Sequence, residues 1–157
     1  MREILFRGKK PRPSVFDQTD WVYGSLIDSG NHEQVMIYPW FNGASTMSVA
    51  QLVYTRMEAV EAETIGQYTG LVDMNGTKIF EGDVFQLEDD IIGVVDFNHG
   101  CFFLTEYGLR GVWTESGYDE CGGGWGVIDR EPMHFWYINK LEVIGNIHDN
   151  PELLEVR

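Results

Sequence analysis

The chain has 157 residues, 43% of them hydrophobic and 23% charged, which describes one globular domain, or a domain with a small companion, able to bury a core without metal or disulfides. With 25 acidic and 11 basic residues the formal charge is -14, so phosphate backbones repel the chain on average and nucleic-acid binding is disfavoured. No apolar run reaches the roughly 18 residues of a membrane helix and no signal-like stretch opens the chain, so a location in the cytoplasm is expected.

In chain order, Glu3 to Arg7 alternates polar and apolar residues, and Lys9-Lys10-Pro11-Arg12-Pro13 then forbids regular structure, because prolines remove donors and fix φ. Arg2, Arg7, Lys9, Lys10 and Arg12 set five bases against the single acid Glu3 in this opening stretch. Such a basic segment on an acidic body can dock onto its own chain, remain solvated, or make a small nucleic-acid contact. Asp20 to Asp28 reads as a second strand, and the turn Ser29-Gly30-Asn31 leads to its hairpin partner, Gln34 to Tyr38. From Met47 to Glu63 the pattern is ambiguous. Val49, Leu52, Val53, Met57 and Val60 fit a helical face, whereas Leu52-Val53-Tyr54-Thr55 fits a strand, so the stretch is expected to be a connection with one short helix or strand.

Leu71 to Phe80 places Asn75-Gly76 between two apolar-containing arms, the pattern of a tight hairpin with a type I′ turn, which needs positive φ at both central positions. Val84 to Leu87 follows as a strand, then an acidic turn Glu88-Asp89-Asp90, a strand from Ile91 to Phe97, the turn Asn98-His99-Gly100 and a strand from Cys101 to Glu106. Gly117 to Gly126 is predicted to be a flexible loop. Met133 to Ile138 and Leu141 to Ile147 are expected as closing strands, and Pro151 to end regular structure. The many short strands predict a mainly β protein. A β-rich N-terminal segment with its connection (1–62) precedes a small barrel (63–157), because closure disposes of exposed strand edges.

Thr64-Ile65-Gly66-Gln67-Tyr68-Thr69-Gly70-Leu71-Val72-Asp73-Met74-Asn75-Gly76, continuing through Ile79-Phe80-Glu81-Gly82-Asp83-Val84, resembles the central signature of the YopX family. Met1 to Lys9 with Trp21-Val22-Tyr23-Gly24 resembles that family's opening, and Glu142 to Leu154 its ending. The resemblance covers both ends of the chain in family order; residues 30–62 and 106–140 are not diagnostic. Ala62 stands where the family often has proline and Met74 where lysine is usual. The resemblance implies a small, mostly β protein encoded by phages and prophages, with an SH3-like barrel in its C-terminal part and no established activity. It carries over no catalytic, cofactor-binding or metal-binding residue. Gly66, Gly70, Gly76, Gly82 and Gly145 read as turn, bulge or close-approach positions, and Asp83 as a carboxylate bonded to its own loop.

The chemical motifs are weak. Cys101 and Cys121 form no CxxC pair, and His32, His99, His134 and His148 are scattered singly, so no zinc site is expected. The loop Cys121-Gly122-Gly123-Gly124-Trp125-Gly126 lacks the Gly-Lys-Ser/Thr of a phosphate loop, and Val127 stands where a dinucleotide fingerprint needs glycine. Asp96, His99 and Cys101 could in principle make an activated thiolate, but strand alternation separates a turn histidine from its neighbours. Glu81/Asp83 and Glu88-Asp89-Asp90 match no calcium-loop spacing. Among the aromatics Trp21, Tyr23, Tyr38, Trp40, Phe41, Trp113, Trp125 and Phe135-Trp136-Tyr137, most are expected in the core and a minority at an interface.

The residues therefore point to a phage or prophage accessory protein in the cytoplasm of its bacterial host, non-enzymatic, using no cofactor, and binding a host or phage protein. Three alternatives stand beside this reading. An acidic chain can act as a decoy for a host nucleic-acid-binding protein; a metal- or thiol-dependent hydrolase is the enzymatic reading; direct nucleic-acid binding through the basic N-terminus is the last. Edge strands, an outward ring from Phe135-Trp136-Tyr137 and the basic segment also predict a homo-oligomer held mainly by apolar contacts. It should persist or tighten in moderate salt, where like-charge repulsion is screened. Light scattering checks this, and a monomeric mass at protein concentrations on the order of tens of micromolar in moderate salt would refute it.

Overall fold

Where a tight turn returns one alternating run directly on the next, as between Asn98 and Cys101, antiparallel pairing follows from the short connection. The computed structural model describes residues 3–11, 20–30, 35–39, 43, 45–87, 91–109, 112–114, 117–119, 125–132 and 138–155, with backbone alone for 35, 36 and the described residues from 108 to 132. The fold is mainly β, with two antiparallel sheets. The chain divides into two compact units between Gly70 and Leu71.

In the first unit β1 (Phe6–Lys9), β2 (Trp21–Asp28), β3 (Val35–Pro39), β4 (Glu58–Val60) and the start of β5 (Gly66–Val72) lie in the order β4-β3-β2-β1-β5. All these pairs are antiparallel. The expected β2–β3 hairpin is present, with Ser25 opposite Tyr38 and Asp28 opposite Val35. Val22, Ile37 and Val60 form the buried centre, with Phe6, Leu26 and Ile65 packed against them. Burying one such aliphatic side chain contributes about 1.5–3 kcal/mol, so this small cluster is a major part of the unit's cohesion.

Lys9 belongs to β1, where the sequence reading ended the strand at Arg7. Its N–H donates to Thr64 Oγ1 at 2.8 Å and its carbonyl accepts from Glu61 N at 2.9 Å, so tertiary bonds extend the strand to Lys9. Arg7 is buried, with its guanidinium 4.9 Å from the centre of the Trp21 ring. At least this part of the basic segment therefore docks within its own unit.

The ambiguous stretch contains both elements rather than one. Helix α1 (Val49–Arg56) begins at Ser48, whose hydroxyl accepts from Gln51 N while Gln51 Oε1 accepts from Ser48 N, a complete capping box. No residue of α1 is buried, so capping rather than packing defines it. Strand β4 follows because Glu58 to Val60 can add to β3, and a 3-10 turn over Ala62–Thr64 leads into β5. Ala62 opens that turn, a position proline would suit.

In the second unit the end of β5 turns into β6 (Lys78–Phe80), followed by β7 (Asp83–Gln86), β8 (Ile92–Asn98), β9 (Cys101–Leu109), β10 (Val112–Thr114), β11 (Gly117–Asp119), β12 (Trp125–Pro132) and β13 (Glu142–Asn146). The sheet order is β12-β9-β8-β7-β13, and β10 and β11 form a separate ribbon. Among the described residues no ladder joins the outer strands β12 and β13 into a closed barrel. Ile79, Phe85, Leu87, Val95, Leu104 and Leu141 make the core. Gly93 faces Phe85 across the ladder, and a Cβ there would meet the Phe85 ring and lie 2.6 Å from the Thr105 carbonyl oxygen.

Three sequence readings in this unit change. Gly117 to Gly126 is not one loop: Gly117–Asp119 pairs with Val112–Thr114, and Trp125-Gly126 begins β12, which pairs with β9 through a bulge between Val127 and Asp129. Glycine there permits strand backbone as readily as a loop, and ladder bonds decided the outcome. Pro151 does not end regular structure but starts a 3-10 turn to Leu154, where a missing N–H costs nothing. Glu88-Asp89-Asp90, Cys121 to Gly124, Trp40, Phe41 and residues 133–137 lie outside the described residues, and with them the Phe135-Trp136-Tyr137 reading and most of the expected strand from Met133 to Ile138.

The third change concerns turn type. Gly76 has φ +84 but Asn75 is not in the positive region; Gly76 N donates to Asp73 O at 3.0 Å and Asp73 N to Thr77 O at 2.8 Å. This is a type I turn closed by a glycine bulge. The two-residue turn with positive φ at both centres is instead His99-Gly100, with φ 49 and 83, between the paired Asn98 and Cys101. Gly76→Val puts a β-branched residue at φ +84 with no steric contact to blame, since nothing lies within 4 Å of a Cβ there. Thermal unfolding should show a loss of about 1–3 kcal/mol, with Gly76→Asn losing less; a wild-type melting temperature for the valine variant would mean the turn is not strained by it.

Candidate functional site

Asp73 is the only acid in the β5–β6 arm, and a carboxylate at the first position of a type I turn accepts from the backbone two residues on. Here it does more. Asp73 Oδ1 accepts from Asn75 N and Thr77 N, both at 2.8 Å, while Oδ2 accepts from Val143 N at 3.0 Å, seventy positions away on β13. Met74 N donates to Leu141 O at 3.0 Å beside it, and Asn75 Nδ2 to Glu142 Oε1 at 3.1 Å. The hairpin turn thus lies along β13 and satisfies its backbone.

Asp73 is 5% exposed. Burial raises its pKa, but the N–H groups of Val143, Thr77 and Asn75, with the Thr77 hydroxyl, outweigh that and hold the carboxyl below its ordinary value. Three N–H donors aimed at one carboxylate describe an internal anchor, with its lone pairs spent on its own chain. A second buried carboxylate, Asp83, accepts from Phe80 N at 2.7 Å, which is the loop bond expected of it. Gly82, with φ +81, donates to Val95 O and accepts from Ile147 N, joining β8 to the end of β13. Gly70 also has positive φ, and Gly145 sits at the β13 bulge against Asn150.

Next to the anchor an open cavity of about 210 Å³ is lined by Met74, Gln86, Leu87, Lys140 and Glu142. Val72 (41% exposed) and Met74 (57%) add apolar surface on the same hairpin, and Glu142 and Lys140 bring opposite charges to the cavity lining. The lining is mixed, with the aliphatic Met74 and Leu87 beside the polar Gln86, Lys140 and Glu142.

The other sequence candidates are dispersed. Asp96 Oδ2 accepts from Thr105 Oγ1 at 2.7 Å, His99 occupies the hairpin turn and Cys101 is an exposed free thiol. Among the described residues no three His, Cys, Asp or Glu side chains converge as a metal site would require. Among those residues, too, no helix is long and apolar enough to cross a membrane. Asp73 was missed as a hub in the sequence reading. The Asp-x-Asn-Gly spacing signals its turn bonds, but nothing local signals Val143.

Compared with protein families, the chain matches the family described as "YopX protein" over residues 15–155. Compared with curated proteins, it has no match.

The anchor makes stability depend on pH in a defined direction. Because the folded pKa lies below the ordinary value of 3.8, the stabilisation is complete above that value and is lost as pH falls through the folded pKa. Asp73→Asn retains one acceptor oxygen and leaves the Val143 donor without its carboxylate, a loss of about 1–3 kcal/mol at neutral pH. Melting curves of wild type and variant should stay well separated from pH 7 down to pH ~4 and converge only as pH falls through the folded pKa; a gap independent of pH would show that the charge of Asp73 contributes nothing.

Proposed function

We propose, from the premise that this chain belongs to the YopX family, that it is a phage-type accessory protein that works as a non-enzymatic protein-binding module, its second unit an SH3-like barrel. The observation that carries this reading is the surface at the β5–β6 turn: Val72 and Met74 exposed, beside a cavity lined by Met74, Gln86, Leu87, Lys140 and Glu142. Exposed apolar surface beside polar rim groups is the composition of a protein-docking site. The strongest sequence signature around it is committed to backbone bonds, which leaves neighbouring side chains to recognise a partner. A host or phage protein offering an apolar side chain beside charged groups fits this surface.

The charge of -14 favours one second reading, an acidic decoy that occupies a basic nucleic-acid-binding surface. The two readings separate by salt: apolar docking survives moderate ionic strength, whereas decoy binding weakens as screening grows.

Met74→Glu places a charge on the exposed apolar turn without touching the Asp73 bonds. Affinity capture from the bacterial host with wild type, Met74→Glu and Tyr54→Glu, an exposed control in the first unit, should recover one protein with wild type and control, and lose it with Met74→Glu at an unchanged melting temperature. Equal recovery by all three would remove this surface from the function.

A further inference from the structure

In the β5–β6 turn, Asn75-Gly76 is a dipeptide whose own atoms can react with each other. Glycine has no Cβ to shield its peptide nitrogen, so the Gly76 nitrogen can reach the Asn75 carboxamide when the turn is mobile. Asn75 is exposed. In the folded turn the attacking and leaving nitrogens are both engaged, Gly76 N–H donating to Asp73 O at 3.0 Å and Asn75 Nδ2 to Glu142 Oε1 at 3.1 Å, while Asn75 N–H donates to Asp73 Oδ1 at 2.8 Å and holds the turn closed.

We infer that Asn75 is a spontaneous modification site held in check by the Asp73 anchor, so that its deamidation records the time the turn spends open. In the open turn the Gly76 amide nitrogen, on losing its proton, attacks Asn75 Cγ. The new N–Cγ bond forms, the Cγ–Nδ2 bond breaks, and Nδ2 leaves as ammonia with the proton the ring nitrogen gave up. Water then opens the five-membered imide, at Cγ to give aspartate or at the backbone carbonyl to give isoaspartate. No oxidant or reductant takes part.

The product acts on the anchor that restrained the reaction. A carboxylate at position 75 no longer donates to Glu142 and sits beside it with the same charge. Isoaspartate also inserts a backbone methylene between Asp73 and Thr77, whose paired bonds at 2.8 Å fix the length of the turn. Both changes oppose the bonds from Asp73 to the turn and to Val143, so modification makes the opening easier and cannot be undone by closing the turn again.

The test follows residue 75 by peptide mass mapping during incubation of the full chain at neutral pH. Wild type should react about tenfold or more slowly when folded than when held unfolded in urea, because only open turns react. Glu142→Ala, an exposed substitution that frees the Asn75 carboxamide, should raise the folded rate several-fold while leaving the urea rate unchanged. Asn75→Asp should melt below wild type and exchange the Val143 amide hydrogen faster. Equal folded and urea rates for wild type, an unchanged rate in Glu142→Ala, or wild-type melting of Asn75→Asp would each overturn the inference.

Discussion

One carboxylate holds the second unit in register with itself. Asp73 closes its own turn through Asn75 and Thr77 and, with its other oxygen, takes the N–H of Val143. These donors are backbone groups, present whatever side chains the positions carry, so the geometry of the turn alone decides whether they converge. An uncompensated buried donor costs about 1–3 kcal/mol, and the anchor removes that cost at the turn and at β13 together. Met74 N on Leu141 O continues the contact, so β13 has β7 on one side and the turn of an earlier hairpin against it.

The rest of the unit builds outward from this clamp. Leu141, just before β13, is fully buried with Ile79, Phe85 and Val95, and the turn's bond to its carbonyl fixes where that side chain enters the core. Gly82 ties the same region to β8 and to Ile147. A conformation with φ +81 suits glycine, which lets one peptide serve both neighbours. The residues around Asp73 and Gly82 are thus the joints of a scaffold. Val72 and Met74 stay exposed on the turn that the scaffold holds, and Met74 also lines the adjacent cavity.

Legibility in the sequence followed the range of the interactions. The β2–β3 hairpin, β7, β8 and β13 were readable because alternation and turn residues act within a few positions. Asp83 was readable for the same reason, its partner Phe80 being three residues away. At Asn75-Gly76 the hairpin was legible but its turn type was not: Asp73 draws the chain into a type I turn with a bulge, while the I′ geometry went to His99-Gly100, a pair with a weaker signal. The glycines of 117–126 carry no local preference strong enough to predict β11 and the start of β12, which exist through their ladders.

The sequence by itself determined the β class, the family, the acidic charge and the positions where the chain must turn, because composition, alternation and backbone freedom are properties of residues and near neighbours. Tertiary structure alone decided that Lys9 extends β1, that Met47 to Glu63 holds both a helix and a strand, and that Asp73 reaches Val143. Apart from the locally capped helix, each of these depends on a donor or acceptor supplied from elsewhere in the fold. Such a partner has no periodicity to announce it, and it becomes available only after the sheet has set its register.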